Sequence, residues 1–148
     1  DGSLIEVAEK AILWLKVEVR GKQCHGSRPQ EGINAMEAGS LFIARMREVR
    51  ERFSERDARY FPSFSSFVPT KRLANVPNIN TIPGTDVFFL DCRVLPRHSI
   101  GEVMDTFTAL AKQIEQALRQ THIIRHSNGA IALEQQRPKA GARRHHPL

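Results

Sequence analysis

Asp86-Val87-Phe88-Phe89-Leu90-Asp91-Cys92-Arg93-Val94-Leu95 is the stretch that decides the fold. Phe88, Leu90, Cys92 and Val94 fall on one face, and Phe89, Asp91 and Arg93 on the other. That alternation predicts a strand with one buried face. Gly84 opens it and Pro96 stops it, since proline donates nothing to a sheet ladder. Ser99 and Glu102 then form a capping box. It predicts a helix from Ile100 to about Gln120 that buries Val103, Phe107, Leu110, Ile114 and Leu118.

The chain upstream uses the same grammar. Leu13, Leu15, Val17 and Val19 alternate with Trp14, Lys16, Glu18 and Arg20, a second half-buried strand ended by Gly21. The segment Cys24 to Gly32 is rich in turn formers and reads as a loop. Asn34 and Glu37 read as an N-cap and its partner. The helix after them buries Ala38, Phe42, Met46, Val49 and Phe53 and is expected to reach about Arg56. Phe61 to Phe67 has strand character, and Lys71 to Pro83 reads as irregular or edge strand. A last strand falls within residues 121–136, with Asn128-Gly129 as a two-residue turn signal. The order is strand, helix, strand, strand, helix, strand. It predicts an α+β, ferredoxin-like two-layer sandwich: an antiparallel sheet with two helices on one face. Residues 11–136 form the domain, with 1–10 and 137–148 read as connectors or tail.

The length of 148 residues suits one domain, and 41% apolar with 26% charged residues is an ordinary globular balance. No apolar run approaches the ~18 residues a membrane helix needs, and no signal-peptide pattern is visible. Cys24 and Cys92 are too few for a disulfide scaffold or a four-thiolate zinc site. Reduced thiols and a cytoplasmic location are expected. The net charge of +6 would suggest an anionic partner. Residues 1–118, however, hold 16 basic and 15 acidic side chains, whereas residues 119–148 hold six basic and one acidic. A solvated basic end, rather than nucleic-acid binding, accounts for the charge.

No phosphate-binding loop, dinucleotide fingerprint or nucleophile elbow is present. The six histidines, His25, His98, His122, His126, His145 and His146, are not spaced as metal ligands with carboxylates. His25 stands out, directly after the first strand in Gly21-Lys22-Gln23-Cys24-His25-Gly26-Ser27-Arg28-Pro29. By itself it reads either as an idle exposed histidine or as a ligand contact. The asparagines near Asn80 suit turns. Arg93 reads either as the ion-pair partner of Asp91 or as a carboxylate-binding arginine.

Five short stretches carry a resemblance. Residues 5–16, the His25 loop and Gly32-Ile33-Asn34-Ala35 come first. Asn78-Ile79-Asn80-Thr81-Ile82-Pro83-Gly84 and Leu90-Asp91-Cys92-Arg93 follow in order. Together they resemble the inserted domain of the zinc hydrolase family that contains succinyl-diaminopimelate desuccinylase, acetylornithine deacetylase and carboxypeptidase G. The resemblance covers roughly residues 1–136.

The resemblance implies a dimerisation and lid domain, with two zinc ions (or cobalt or manganese) held in a separate catalytic domain and no metal site here. It implies a homodimer formed through a sheet edge and the first helix, and a substrate that is an N-acylated amino acid or peptide. It further implies that His25 reaches across the dimer to stabilise an oxyanion, that Asn80 contacts substrate across the dimer, and that Arg93 holds a substrate carboxylate. Two other readings remain at this point: a ferredoxin-like nucleic-acid or small-ligand binding module, and a purely structural dimer module. Against RNA, Val87-Phe88-Phe89-Leu90 lacks the glycine and basic residue of the base-stacking strand motif.

Overall fold

The computed structural model describes residues 9–120 and 130–137. Strand β1 (Ala11–Arg20) leads into a short β2 (Cys24–His25), a 3-10 turn at Pro29–Glu31 and helix α1 (Ala35–Arg52). Then come β3 (Ser66–Arg72), a short β4 (Thr81–Ile82), β5 (Thr85–Val94), α2 (Ile100–Gln120) and β6 (Ala130–Gln136). The main sheet has the order β3-β5-β1-β6, with every neighbouring pair antiparallel. Strands β2 and β4 form a separate two-stranded ribbon. This is the ferredoxin-like arrangement that the alternation and capping boxes predict.

β1 and β5 run side by side from Ala11 opposite Val94 to Arg20 opposite Thr85. That register puts Leu13, Leu15, Val17 and Val19 on the same face as Phe88, Leu90, Cys92 and Val94, all buried. Both helices cover that face. Phe42 of α1 lies parallel to Phe107 of α2 at 6.1 Å and edge-on to Phe88 at 5.7 Å. Such aromatic pairs contribute about 0.5–1.5 kcal/mol beyond area burial. The Ser99 box closes reciprocally: the Ser99 amide donates to Glu102 at 2.8 Å, and the Glu102 amide to Ser99 Oγ at 3.0 Å. Asn34 Oδ1 accepts the amides of Met36 and Glu37 at the start of α1.

Two boundaries differ from expectation. Helix α1 ends at Arg52, with Phe53 as its C-cap and buried in the core. Strand β3 begins at Ser66, leaving Phe61 and Phe64 exposed, and runs on through Arg72. It tolerates Pro69 because it is an edge strand, and its register shifts between Pro69 and Lys71. Its far end is tied down by a contact that hydrophobic patterning does not reveal. Asp86 is fully buried and receives Arg72 Nε at 2.9 Å and Nη2 at 2.6 Å. Arg72 Nη2 also donates to Ser40 Oγ at 3.2 Å. Gly39 makes room for this pair, because a Cβ there would collide with the Asp86 carboxylate. One ion pair thereby joins β3, β5 and α1. The expectations for residues 1–8, for the Asn128-Gly129 turn and for the tail from Pro138 lie outside the described residues.

Candidate functional site

β1 and β5 meet at a pinch where the Gly21 amide donates to Gly84 O at 2.7 Å. Only glycine fits at 21, because a Cβ would overlap the carbonyl of Ile33. Beyond the pinch the chain leaves the main sheet, and the β2–β4 ribbon sets Cys24 opposite Ile82 and His25 opposite Thr81. The Gly26 amide donates to Asn80 O at 2.7 Å. His25 and Asn80 are therefore held together on one short ribbon, both exposed. The Arg28 amide donates to His25 O at 3.0 Å and closes a turn over the ring. Inside that turn the Ser27 amide donates to His25 Nδ1 at 3.1 Å, and Ser27 Oγ lies 2.7 Å from the same nitrogen. A cavity of about 350 Å³ is lined by Ile79 and Thr81, on either side of Asn80 in sequence, with Met36, Asn75, Val76, Pro77, Asn78 and Pro83.

Arg93 lies elsewhere. It sits near the other end of β5, opposite Ile12 of β1 and Ser66 of β3. Its guanidinium makes a bidentate pair with Asp91, Nε to Oδ1 at 2.6 Å and Nη2 to Oδ2 at 3.0 Å. Trp14 Nε1 donates to the same carboxylate at 3.2 Å. The Arg93 hydrogen bonds, and then Trp14, hold the Asp91 carboxyl below its usual range against the opposing effect of burial. Eight residue steps of strand lead from Thr85 to Arg93, about 26 Å at ~3.3 Å per residue. The structure thus brings His25 and Asn80 together and keeps Arg93 apart from both.

Among the described residues, no group of three His, Cys, Asp or Glu side chains is placed to hold a metal ion. His98 pairs with Glu55 through its Nε2 at 2.9 Å, and Phe53 meets its ring edge-on. Cys92 is buried and its thiol is pushed up to about 12, so it is chemically quiet. Among the described residues, no helix is long and apolar enough to cross a membrane.

Sequence reasoning missed Ser27 as the partner of His25 and Trp14 as the partner of Asp91. The first was legible as a hydroxyl two residues after a loop histidine. The second depended on the β1–β5 register, which sets Trp14 opposite Asp91.

Residues 7–118 match the sequence profile described as the peptidase dimerisation domain. The chain belongs to that family. Two curated relatives, both named only as uncharacterised metallohydrolases, come from methanogens. The one from Methanocaldococcus jannaschii is 39% identical over 115 residues, which is 77% of this chain and 28% of the relative. The one from Methanococcus maripaludis is 43% identical over 105 residues, 70% of this chain and 25% of the relative. This chain therefore spans about a quarter of the length of these relatives. Among solved structures, a Staphylococcus aureus protein described as an aminohydrolase matches with a TM-score of 0.65 at 21% identity, over 85% of this chain and 30% of that one. A hydantoinase/carbamoylase family amidase from Burkholderia ambifaria matches with a TM-score of 0.60 at 17% identity, over 91% and 32%. At these identities the likeness is one of fold.

Proposed function

We propose that this chain is the dimerisation and lid unit of a metal-dependent amidohydrolase or peptidase that acts on N-acylated amino acids or peptides, of the desuccinylase, deacetylase or carboxypeptidase type. The metal ions, zinc or else cobalt or manganese, are assigned to a separate catalytic domain, as the resemblance to the family implies. When bound, such ions polarise the scissile carbonyl and lower the pKa of an attacking water. This chain supplies assembly and substrate contacts. Its two free cysteines suit a cytoplasmic setting.

One observation carries the reading. The β2–β4 ribbon holds His25 and Asn80 exposed beyond the Thr85 end of β5, and about 26 Å of strand runs from Thr85 to Arg93. A small substrate cannot touch both ends of one chain at once. In a two-fold dimer, His25 and Asn80 reach into the partner's active site while Arg93 serves the site of its own chain. His25 then donates to the oxygen that gains charge as the amide is attacked, Asn80 holds substrate, and Arg93 receives a carboxylate.

The dimer forms through β3 and α1. β3 is an edge strand of the sheet with Val68 exposed, and Met36 is exposed on α1. An edge of this kind invites pairing with a second copy.

The experiment is His25→Ala in the full-length protein. Loss of one oxyanion donor lowers kcat about 10²–10³-fold, or ~2.7–4 kcal/mol. An unchanged kcat would leave only the assembly role.

A further inference from the structure

We infer that Ser27 is a positioning residue for His25, fixing Nε2 as the nitrogen that faces substrate and keeping a proton on it. The inference rests on the catalytic reading of His25 given above and extends it to a residue that nothing else assigns.

The main-chain amide of Ser27 donates to His25 Nδ1 at 3.1 Å. An amide nitrogen has no lone pair to offer, so Nδ1 is the acceptor in this contact and the neutral ring carries its proton on Nε2. The Ser27 hydroxyl lies 2.7 Å from the same Nδ1. A hydroxyl both donates and accepts. With the ring neutral it donates to Nδ1 alongside the amide, so both Ser27 groups hold the ring in one orientation.

The turn that aligns these groups is closed by the Arg28 amide on His25 O, and Gly26 ties it to Asn80. Nδ1 is taken up inside the turn, and Nε2–H is the group left to work outside it. Such a ring donates a hydrogen bond to an oxygen: a carbonyl, a carboxylate or an oxyanion. It has no outward lone pair with which to act as a general base. Metal-bound histidines show the reverse arrangement: the inner N–H donates to an acceptor and the outer nitrogen keeps its lone pair.

The test has a spectroscopic arm and a kinetic arm. In this chain, with the ring neutral, long-range 1H–15N spectra are expected to show a proton-free Nδ1 and a protonated Nε2 for His25. In the full-length protein, Ser27→Ala is expected to lower kcat about three- to tenfold, the worth of one neutral hydrogen bond, with KM held within about twofold. Ser27→Thr restores the hydroxyl and is expected to restore kcat. In a His25→Ala background, Ser27→Ala is expected to change nothing further. A wild-type ring protonated on Nδ1, an unchanged kcat in Ser27→Ala, or an undiminished loss in the His25→Ala background would each overturn the inference. If His25→Ala alone leaves kcat unchanged, the catalytic reading fails, and the ring spectrum of this chain still decides whether Ser27 holds Nδ1.

Discussion

Mixing two impaired variants of the full-length protein puts the proposed division of labour at risk. His25→Ala removes the group proposed to reach across the dimer, and Arg93→Ala removes the group proposed to serve its own chain. Each homodimer has two damaged sites. His25→Ala costs about 10²–10³-fold in kcat. Arg93→Ala costs about 10- to 100-fold in kcat/KM, the worth of a charged hydrogen-bonded contact.

In the mixed dimer the two defects fall together in one site, and the other site is intact. Equal amounts with free exchange give half heterodimers, each with one working site of two. Activity is therefore expected to recover to about a quarter of wild type for a two-fold dimer. The expectation comes directly from the ~26 Å of β5 between the ribbon and Arg93. If both residues served the same site from one chain, every site in the mixture would keep a defect. The assay is hydrolysis of a panel of N-acyl amino acids and short peptides after co-expression. Recovery no greater than the average of the two single variants would refute the reasoning.

Further outcomes follow from the packing. Arg72→Ala strands the fully buried Asp86 carboxylate and is expected to cost about 3–5 kcal/mol in urea unfolding. Asp86→Ala is expected to cost only about 2 kcal/mol, because the Arg72 side chain is 38% exposed and can hydrate; the reverse order would contradict the assignment. Gly39→Ala is expected to lose about 1–3 kcal/mol to the clash with Asp86, more than the up to ~1 kcal/mol gained in helix propensity. Most of that loss should vanish in an Asp86→Ala background, and an undiminished loss would show that the clash lies elsewhere. Iodoacetamide at pH 8 is expected to modify the half-buried Cys24 and spare Cys92, whose thiol is buried and pushed up to about 12. Labelling of Cys92 in the folded chain, read by mass spectrometry, would contradict its burial.

The fold was legible because its long elements obey single periods. The buried faces of β1, β5, α1 and α2 can be read off residues spaced by two, or by three and four. Where a period is missing, the sequence reading slipped. Phe61 and Phe64 resemble strand residues, yet both are exposed, and β3 starts only at Ser66. Its extension through Arg72 depends on a buried ion pair with Asp86, fourteen residues away, which no local pattern announces.

The candidate site was half legible. His25 and Asn80 stood out as motif residues, but their adjacency arises from the β2–β4 ribbon, two residues per strand, too short to show a period. The distance of Arg93 from both follows only once β5 is laid out as one unbroken strand.

The central claim is that this chain is an assembly unit whose edge strand and first helix join two copies. Sedimentation equilibrium of the chain tests it most directly. The account predicts a species of twice the 16.8 kDa chain mass, reverting to monomer when charged residues replace Val68 and Met36. A wild-type chain that remains a 16.8 kDa monomer at the highest loading concentration would contradict it.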